Sequence, residues 1–233
     1  MAGIIYGIGV GPGDPELLTV KALNCIRACE VIGIPAKNVQ TCTAYQIALK
    51  AVPEMKDKPV VAVTVPMTKD EIRLQEAYDR GCAELIYELE QGNNIAFLNL
   101  GDPTIYASYM EIHKRIETAG FQAELVSGVP SFCAVAAELG IPLGSGKEKI
   151  HILPGCYDED EIEKYDGTKI LMKSGGEIGG IKERLVKLEK KTETFAVSNC
   201  GMENQQVYSD IRELDEQAGY FTTIIVKEKE RDE

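Results

Sequence analysis

Short apolar runs alternate with longer amphipathic ones along almost the whole chain, and that alternation limits the fold more than any other feature. The apolar runs are Ile4–Gly9, Val31–Ile34, Val60–Val65, Ile95–Leu98, Ala123–Val126, Ile150–Leu153, Lys169–Met172, Thr194–Ser198 and Thr222–Lys227. Most are rich in Val and Ile, and many are apolar throughout, as strands covered on both faces are. Between them lie helical patterns over Thr19–Cys29, Asp70–Glu90, Tyr106–Ala119, Ser131–Leu139, Glu177–Glu189 and Asp210–Glu216. The clearest, Asp70–Glu90, repeats Ile72, Ala77, Leu85 and Leu89 and stops before Gly92. Strand and helix in alternation predict an α/β fold with a largely parallel core. The spacing places a domain junction near Gly120–Phe121. That gives an N-terminal α/β domain over residues 1–121 and a C-terminal one over 122–233, the latter closer to hairpin logic. No repeat period indicates a solenoid.

Composition narrows the class. With 233 residues the chain can bury a real core without a disulfide or metal staple. Its 37 acidic residues exceed its 25 basic ones, giving a net charge of -12. A chain that acidic is a poor binder of nucleic acid or of an anionic membrane surface. The seven cysteines are scattered, with no Cys-x-x-Cys, so neither a zinc framework nor a secreted disulfide scaffold is expected. The start, MAGIIYGIGVGPGDPE, lacks the pattern of a signal peptide, and no apolar run reaches membrane-spanning length. The expected setting is a reduced cytoplasm.

Three motifs carry the chemistry. In GIGVGPGDPELLT, glycines 7, 9, 11 and 13 follow a strand and precede a helix. A dinucleotide loop is the obvious reading, but its spacing fails. Counted from Gly7 the third glycine falls on Pro12, and counted from Gly9 on Asp14. The second strand, VIGIP, closes without the acid that a ribose requires. No Gly-Lys-Ser/Thr follows, so a P-loop is excluded too. The plainer reading is a tight turn with Asp14 capping a helix that Pro15 begins. In NLGDPTIYASY, an apolar strand runs straight into Gly101-Asp102-Pro103, where ligands of open α/β sheets bind. Asp102 can accept from a ligand's hydroxyls or ammonium, cap a helix, or both. In VSGVPSFCAVAAELGIPL, a strand ends at Ser127-Gly128 and a helix of small residues starts near Ser131. Ala134, Ala136 and Ala137 there permit close packing or the approach of a flat ligand. Cys25 and Cys29 read as small buried residues, and His113 and His151 have no acid–base partners in sequence.

In order, YGIGVGPGDPELLTVKAL, GDPTIYASYMEI and SGVPSFCAVAAELGIPL resemble the signatures of the tetrapyrrole methylases, and the resemblance covers nearly the whole chain. These are S-adenosyl-L-methionine-dependent enzymes of corrinoid and sirohaem biosynthesis. The Tyr-x-Ser-Tyr continuation is closest to the branch that methylates C-20 of precorrin-2 or cobalt-factor II in cobalamin synthesis. The resemblance implies two α/β domains with an active-site cleft between them, in a homodimer. It implies cofactor contacts at Leu100, Gly101, Asp102, Ile105, Pro130 and Ser131, with later ones at Met172, Gly201 and Thr222. It puts Pro12 and Asp14 beside the tetrapyrrole. KSGGEIGG, at Lys173–Gly180, is glycine-rich where relatives differ. The implied reaction is in-line transfer of a sulfonium methyl to a meso carbon. A weak base helps the C-20 proton leave, and Tyr106, beside the Gly-Asp turn, is the polar group assigned near the reacting carbon. The competing readings are methylation at another ring carbon and a non-catalytic regulator that binds the adenosyl ligand.

Overall fold

A computed structural model describes residues 1–66, 68, 70–155, 161–173, 178–215 and 218–229. The chain divides into two compact units, Met1–Pro130 and Ser131–Glu233.

In the first unit, β1 (Ile4–Gly9), β2 (Val31–Ile34), β3 (Val60–Ala62), β4 (Ile95–Asn99) and β5 (Gln122–Val126) form a parallel sheet in the order β3-β2-β4-β1-β5. Its helices are α1 (Val20–Ala28), α2 (Thr43–Ala51), α3 (Glu71–Glu90) and α4 (Tyr109–Thr118). Both sheet faces are covered, and the two-residue strand period sorts side chains into two cores. Ile8, Ile32, Ile34, Ala96 and Leu98 meet α1 and α2. Ile5, Val31, Ile95 and Phe97 meet α3 and α4. This explains why the strands read as apolar throughout.

The predicted junction after Phe121 is therefore misplaced. β5 pairs with β1 from Ile4↔Gln122 to Ile8↔Val126, so it completes the first sheet, and the division falls at Pro130. Three element readings also shift. The strand at Val60 ends at Ala62, the pattern at Asp210–Glu216 forms only a 3-10 turn over Ile211–Glu213, and α4 starts at Tyr109. Tyr106 cannot belong to α4, because its φ of 50° is left-handed.

The second unit holds β6 (Ile150–Pro154), β7 (Thr168–Met172), β8 (Thr192–Ser198), β9 (Gln206–Tyr208) and β10 (Thr222–Glu228) in the order β6-β7-β10-β8-β9. β6 and β7 are parallel, while β10 runs antiparallel to both β7 and β8. Its helices are α5 (Ser131–Leu139), α6 (Glu161–Lys164) and α7 (Ile178–Leu188). Leu171, Ile181, Leu185, Ala196 and Ile224 are in its core.

Candidate functional site

The strand order of the first sheet creates its binding position. The chain leaves β1 for α1 on one face and leaves β4 for α4 on the other. β1 and β4 are neighbours whose connections leave on opposite faces, so the topological switch point of the sheet, where ligands of such sheets bind, lies between them.

Both loops are tied together at their roots. Gly11 N–H donates to the Gly101 carbonyl at 3.2 Å, and Gly101 N–H donates to the Gly11 carbonyl at 2.8 Å. Val10 N–H donates to the Asn99 carbonyl at 2.9 Å. The turn after β5 closes on the same point. A Cβ on Gly9 would lie 2.6 Å from both the Gly101 carbonyl oxygen and the Gly128 nitrogen. Gly9 of the first motif is thus required for backbone-on-backbone packing among three loops. Gly101 itself has φ +70°, and a Cβ there would find only the Val129 oxygen, 3.9 Å away. That face of Gly101 is open.

Asp102, 7% exposed, holds the arrangement. Its Oδ1 accepts from Thr104 N–H at 2.8 Å and from the Thr104 hydroxyl at 2.5 Å, and its Oδ2 accepts from Gly128 N–H at 2.9 Å. It therefore caps the turn and also links the ends of β4 and β5. Ile105 N–H donates to the Asp102 carbonyl at 3.2 Å, closing the turn. Leu100 is half-buried and Pro12 buried. Asp14 caps the 3-10 turn Pro15–Leu17 through Glu16 N–H at 2.8 Å, as the sequence predicts. Tyr106 is 46% exposed just past this turn.

The second unit gathers the later residues at one end of its sheet. β10 starts where β7 and β8 finish, with Thr223 opposite Met172 and Thr222 opposite Ser198. The Thr222 hydroxyl lies 2.9 Å from that of Ser198 and donates to the Gly219 carbonyl at 2.9 Å. Ser131, at the start of α5, lies 3.3 Å from the Thr223 hydroxyl. Gly201, with φ +78°, turns the chain just beyond β8, its N–H donating to Gln205 Oε1 at 2.6 Å. Met172, Ser131, Thr222 and Gly201 thus lie at one sheet end, with Thr222 on the opposite face from Met172 and Thr223. Ala134 and Ala136 are buried as α5 packs on β10 and β8, which is the helix-on-sheet use of that small-residue motif. Pro130 closes the first unit. Cys156 and residues 174–177 of the glycine-rich stretch lie outside the described residues.

Sequence reasoning missed Tyr109. It is fully buried, its ring fills the space that Gly7 leaves, and it lies 5.2 Å from Phe97 and 5.7 Å from His113. A Cβ on Gly7 would fall 1.9 Å from Tyr109 Cε1. Cys29 is buried and Cys25 half-buried on α1, consistent with packing roles.

The chain belongs to the tetrapyrrole (corrin/porphyrin) methylases, whose pattern it matches over residues 4–215. Membership makes it a methyltransferase that uses S-adenosyl-L-methionine. Among similar proteins, a probable cobalt-precorrin-2 C(20)-methyltransferase of Methanocaldococcus jannaschii is 36% identical over 172 residues, covering 73% of this chain and 72% of that one. A precorrin-2 C(20)-methyltransferase of a Sinorhizobium species is 28% identical and covers 96% and 95%. The solved cobalt precorrin-4 methyltransferase CbiF has a TM-score of 0.75 at 19% identity, over 96% and 94% of the two chains. A Thermus thermophilus uroporphyrin-III C-methyl transferase complexed with S-adenosylhomocysteine gives 0.69 at 19%, over 97% of each. These two structures share the fold. Among the described residues, no helix is long and apolar enough to cross a membrane.

Proposed function

We propose that this protein methylates C-20 of cobalt-factor II or precorrin-2 in cobalamin biosynthesis, as a cytoplasmic homodimer. The 36% identity to the Methanocaldococcus C(20)-methyltransferase carries the reading. The Tyr-x-Ser-Tyr run after Gly101-Asp102-Pro103 supports it.

The residues present fit the methyl donor. The open face of Gly101 lets a flat ring approach the backbone. The hydroxyls of Ser131 and Thr222 and the thioether of Met172 offer polar and polarisable contacts without a fixed charge. Leu100, Gly101, Asp102, Ile105, Pro130, Ser131, Met172, Gly201 and Thr222 would hold it, with Pro12 and Asp14 beside the tetrapyrrole. When bound, S-adenosyl-L-methionine supplies an electrophilic sulfonium methyl. The protein has to orient donor and acceptor, and such positioning supplies several orders of magnitude of rate. The tie between Gly11 and Gly101 and the Asp102–Gly128 link hold the loops that do this. Tyr106 then provides a hydroxyl beside the turn for the departing C-20 proton.

Anaerobic incubation with S-adenosyl-L-methionine and either cobalt-factor II or precorrin-2, read by mass spectrometry and NMR, tests the reading. A single methyl at C-20 is the expected product. A methyl on another carbon, or none, sinks the C-20 assignment, and the faster substrate decides whether cobalt precedes the step. Sedimentation of the free protein tests the dimer.

A further inference from the structure

One buried amide of the second motif has an acceptor to spare. Asn99, the last residue of β4, is 3% exposed and stands on the strand face that carries Ile95 and Phe97. The four residues before it, Ile95-Ala96-Phe97-Leu98, are apolar, yet the strand ends on a carboxamide. Its Nδ2 donates to the Phe97 carbonyl at 3.0 Å. A carbonyl only accepts, so this contact fixes the amide: the NH2 turns back along the strand and Oδ1 points the other way. Among the described residues nothing donates to Oδ1. Nor is it sealed in, as the equally unpaired Tyr109 hydroxyl is. The small part of Asn99 that reaches the outside therefore includes a hydrogen-bond acceptor.

That acceptor lies at the mouth of the first sheet. Asn99 is in register with Gly9 of β1 and directly precedes the Leu100-Gly101-Asp102 turn, at the switch point between the two strands. The open face of Gly101 is two residues on. Neighbouring acceptors are already committed. The Asp102 carboxylate takes two donors of Thr104 and the Gly128 N–H. The Asn99 carbonyl takes Val10 N–H, and the Gly101 carbonyl takes Gly11 N–H. A ligand that closed over this mouth would remove Asn99 Oδ1 from water. Only a ligand with a proton donor aimed at that oxygen would leave it satisfied.

We propose that Asn99 is a further ligand-binding residue of this methyltransferase, its Oδ1 accepting a hydrogen bond from an N–H or O–H of the ligand at the mouth of the first sheet. The inference rests on the methyltransferase reading above. Both reactants carry such donors. The methyl donor has an ammonium, ribose hydroxyls and an adenine amine. Metal-free precorrin-2 has ring N–H groups, which cobalt displaces in cobalt-factor II.

The test uses Asn99→Ala, Asn99→Leu and Asn99→Asp in the full chain. Binding of S-adenosylhomocysteine is measured by calorimetry, and binding of precorrin-2 and cobalt-factor II by absorbance titration. Ala and Leu both remove the acceptor, Ala without adding bulk. Asp keeps an outward oxygen and loses only the NH2 that Phe97 uses. All three lose the bond to Phe97, so all three should have lower thermal midpoints than the parent. Ala and Leu should weaken at least one ligand about tenfold, while Asp stays within about threefold of the parent or binds more tightly. A loss confined to S-adenosylhomocysteine makes the methyl donor the partner. A loss confined to precorrin-2 makes it a ring N–H, and a loss shared by cobalt-factor II makes it a macrocycle group that survives metal insertion. Unchanged dissociation constants for all three ligands in a folded Ala or Leu variant overturn the contact. An equal loss in Asn99→Asp overturns it too, since that is the mark of the Phe97 bond alone. Either result beside normal C-20 methylation by the parent leaves the proposed function standing. A constant shifted as expected, without C-20 product from the parent, leaves the contact standing and removes that function.

Discussion

Gly128 and Gly9 meet backbone to backbone at the mouth of the first sheet: a Cβ on Gly128 would lie 2.7 Å from the Gly9 Cα and 2.2 Å from the Gly101 oxygen. The contacting atoms are main chain, so they yield only if whole loops move. Gly128→Ala should destabilise the protein by about 1–3 kcal/mol, the range of overpacked cores. For a chain of this size that lowers the thermal midpoint by roughly 2–4 °C per kcal/mol. Binding of S-adenosylhomocysteine should weaken as well, because Gly101 moves with the contact. A thermal midpoint equal to the parent's would mean that the three loops are not locked together.

Asp102 offers a sharper test of the same linkage. Asp102→Asn places an amide NH2 where one of three donors now points, from Thr104 N–H, the Thr104 hydroxyl or Gly128 N–H. At least one donor then loses its acceptor in a buried turn, costing about 1–3 kcal/mol. Urea denaturation should show a lower midpoint with an unchanged slope. If Asp102→Asn matched the parent in stability but lost ligand binding, Asp102 would be a ligand contact and not a structural tie.

The fold was largely legible, and the reasons are local. β1 and β2 stand out as Val/Ile runs because α1 and α2 cover one face of the sheet and α3 and α4 the other. α2 was not read from the sequence, although Ala44, Tyr45, Ile47 and Ala48 are all buried on it. β9 has only three residues, two of them exposed, so its place comes from pairing with β8. The junction was misplaced because nothing local in β5 reveals that it pairs with a strand more than a hundred residues earlier. At the site, glycine spacing excluded a dinucleotide loop. It could not reveal that Gly9 and Gly128 are needed for each other, which is a long-range fact.

Tyr106 separates chemistry from conformation. Its left-handed backbone would suit glycine, whereas phenylalanine keeps the ring and removes only the hydroxyl. Tyr106→Phe should leave the thermal midpoint unchanged and lower kcat by about a hundredfold, the lower range for a lost acid–base group. Tyr106→Gly should raise stability by up to about 1 kcal/mol with the same loss of rate. Unaltered turnover in Tyr106→Phe would remove the hydroxyl from the mechanism.

Tyr109 is the reverse case, a hydroxyl the fold tolerates at a cost. It is fully buried, and its oxygen has no hydrogen-bond partner among the described residues. Tyr109→Phe keeps the ring against Phe97 and the space left by Gly7 while removing the orphaned group. An unsatisfied buried polar group costs about 1–3 kcal/mol, so the variant should be more stable than the parent. A lower thermal midpoint would mean that the hydroxyl has a partner such as a buried water.

Alkaline pH should weaken the fold through its buried thiols. Burial pushes the Cys29 thiol up to about 12 and the Cys82 thiol up to about 11. In the unfolded chain a thiol titrates near about 8.5. The folded state therefore holds these protons after the unfolded state has released them, and stability declines as pH rises. The contribution is intact below about 8.5 and is progressively lost toward the folded values. Each thiol adds up to about 1.4 kcal/mol of loss per pH unit within that window. Urea midpoints measured from pH 7 to 10.5 should fall increasingly steeply above pH 8.5. Cys82→Ala will start lower at pH 7, because it leaves a small cavity among Tyr78, Leu85 and their neighbours. Its decline above pH 8.5 should nevertheless be shallower than the parent's, since one differential titration has gone. Parallel curves for the parent and Cys82→Ala would show that the Cys82 thiol titrates alike in the folded and unfolded states.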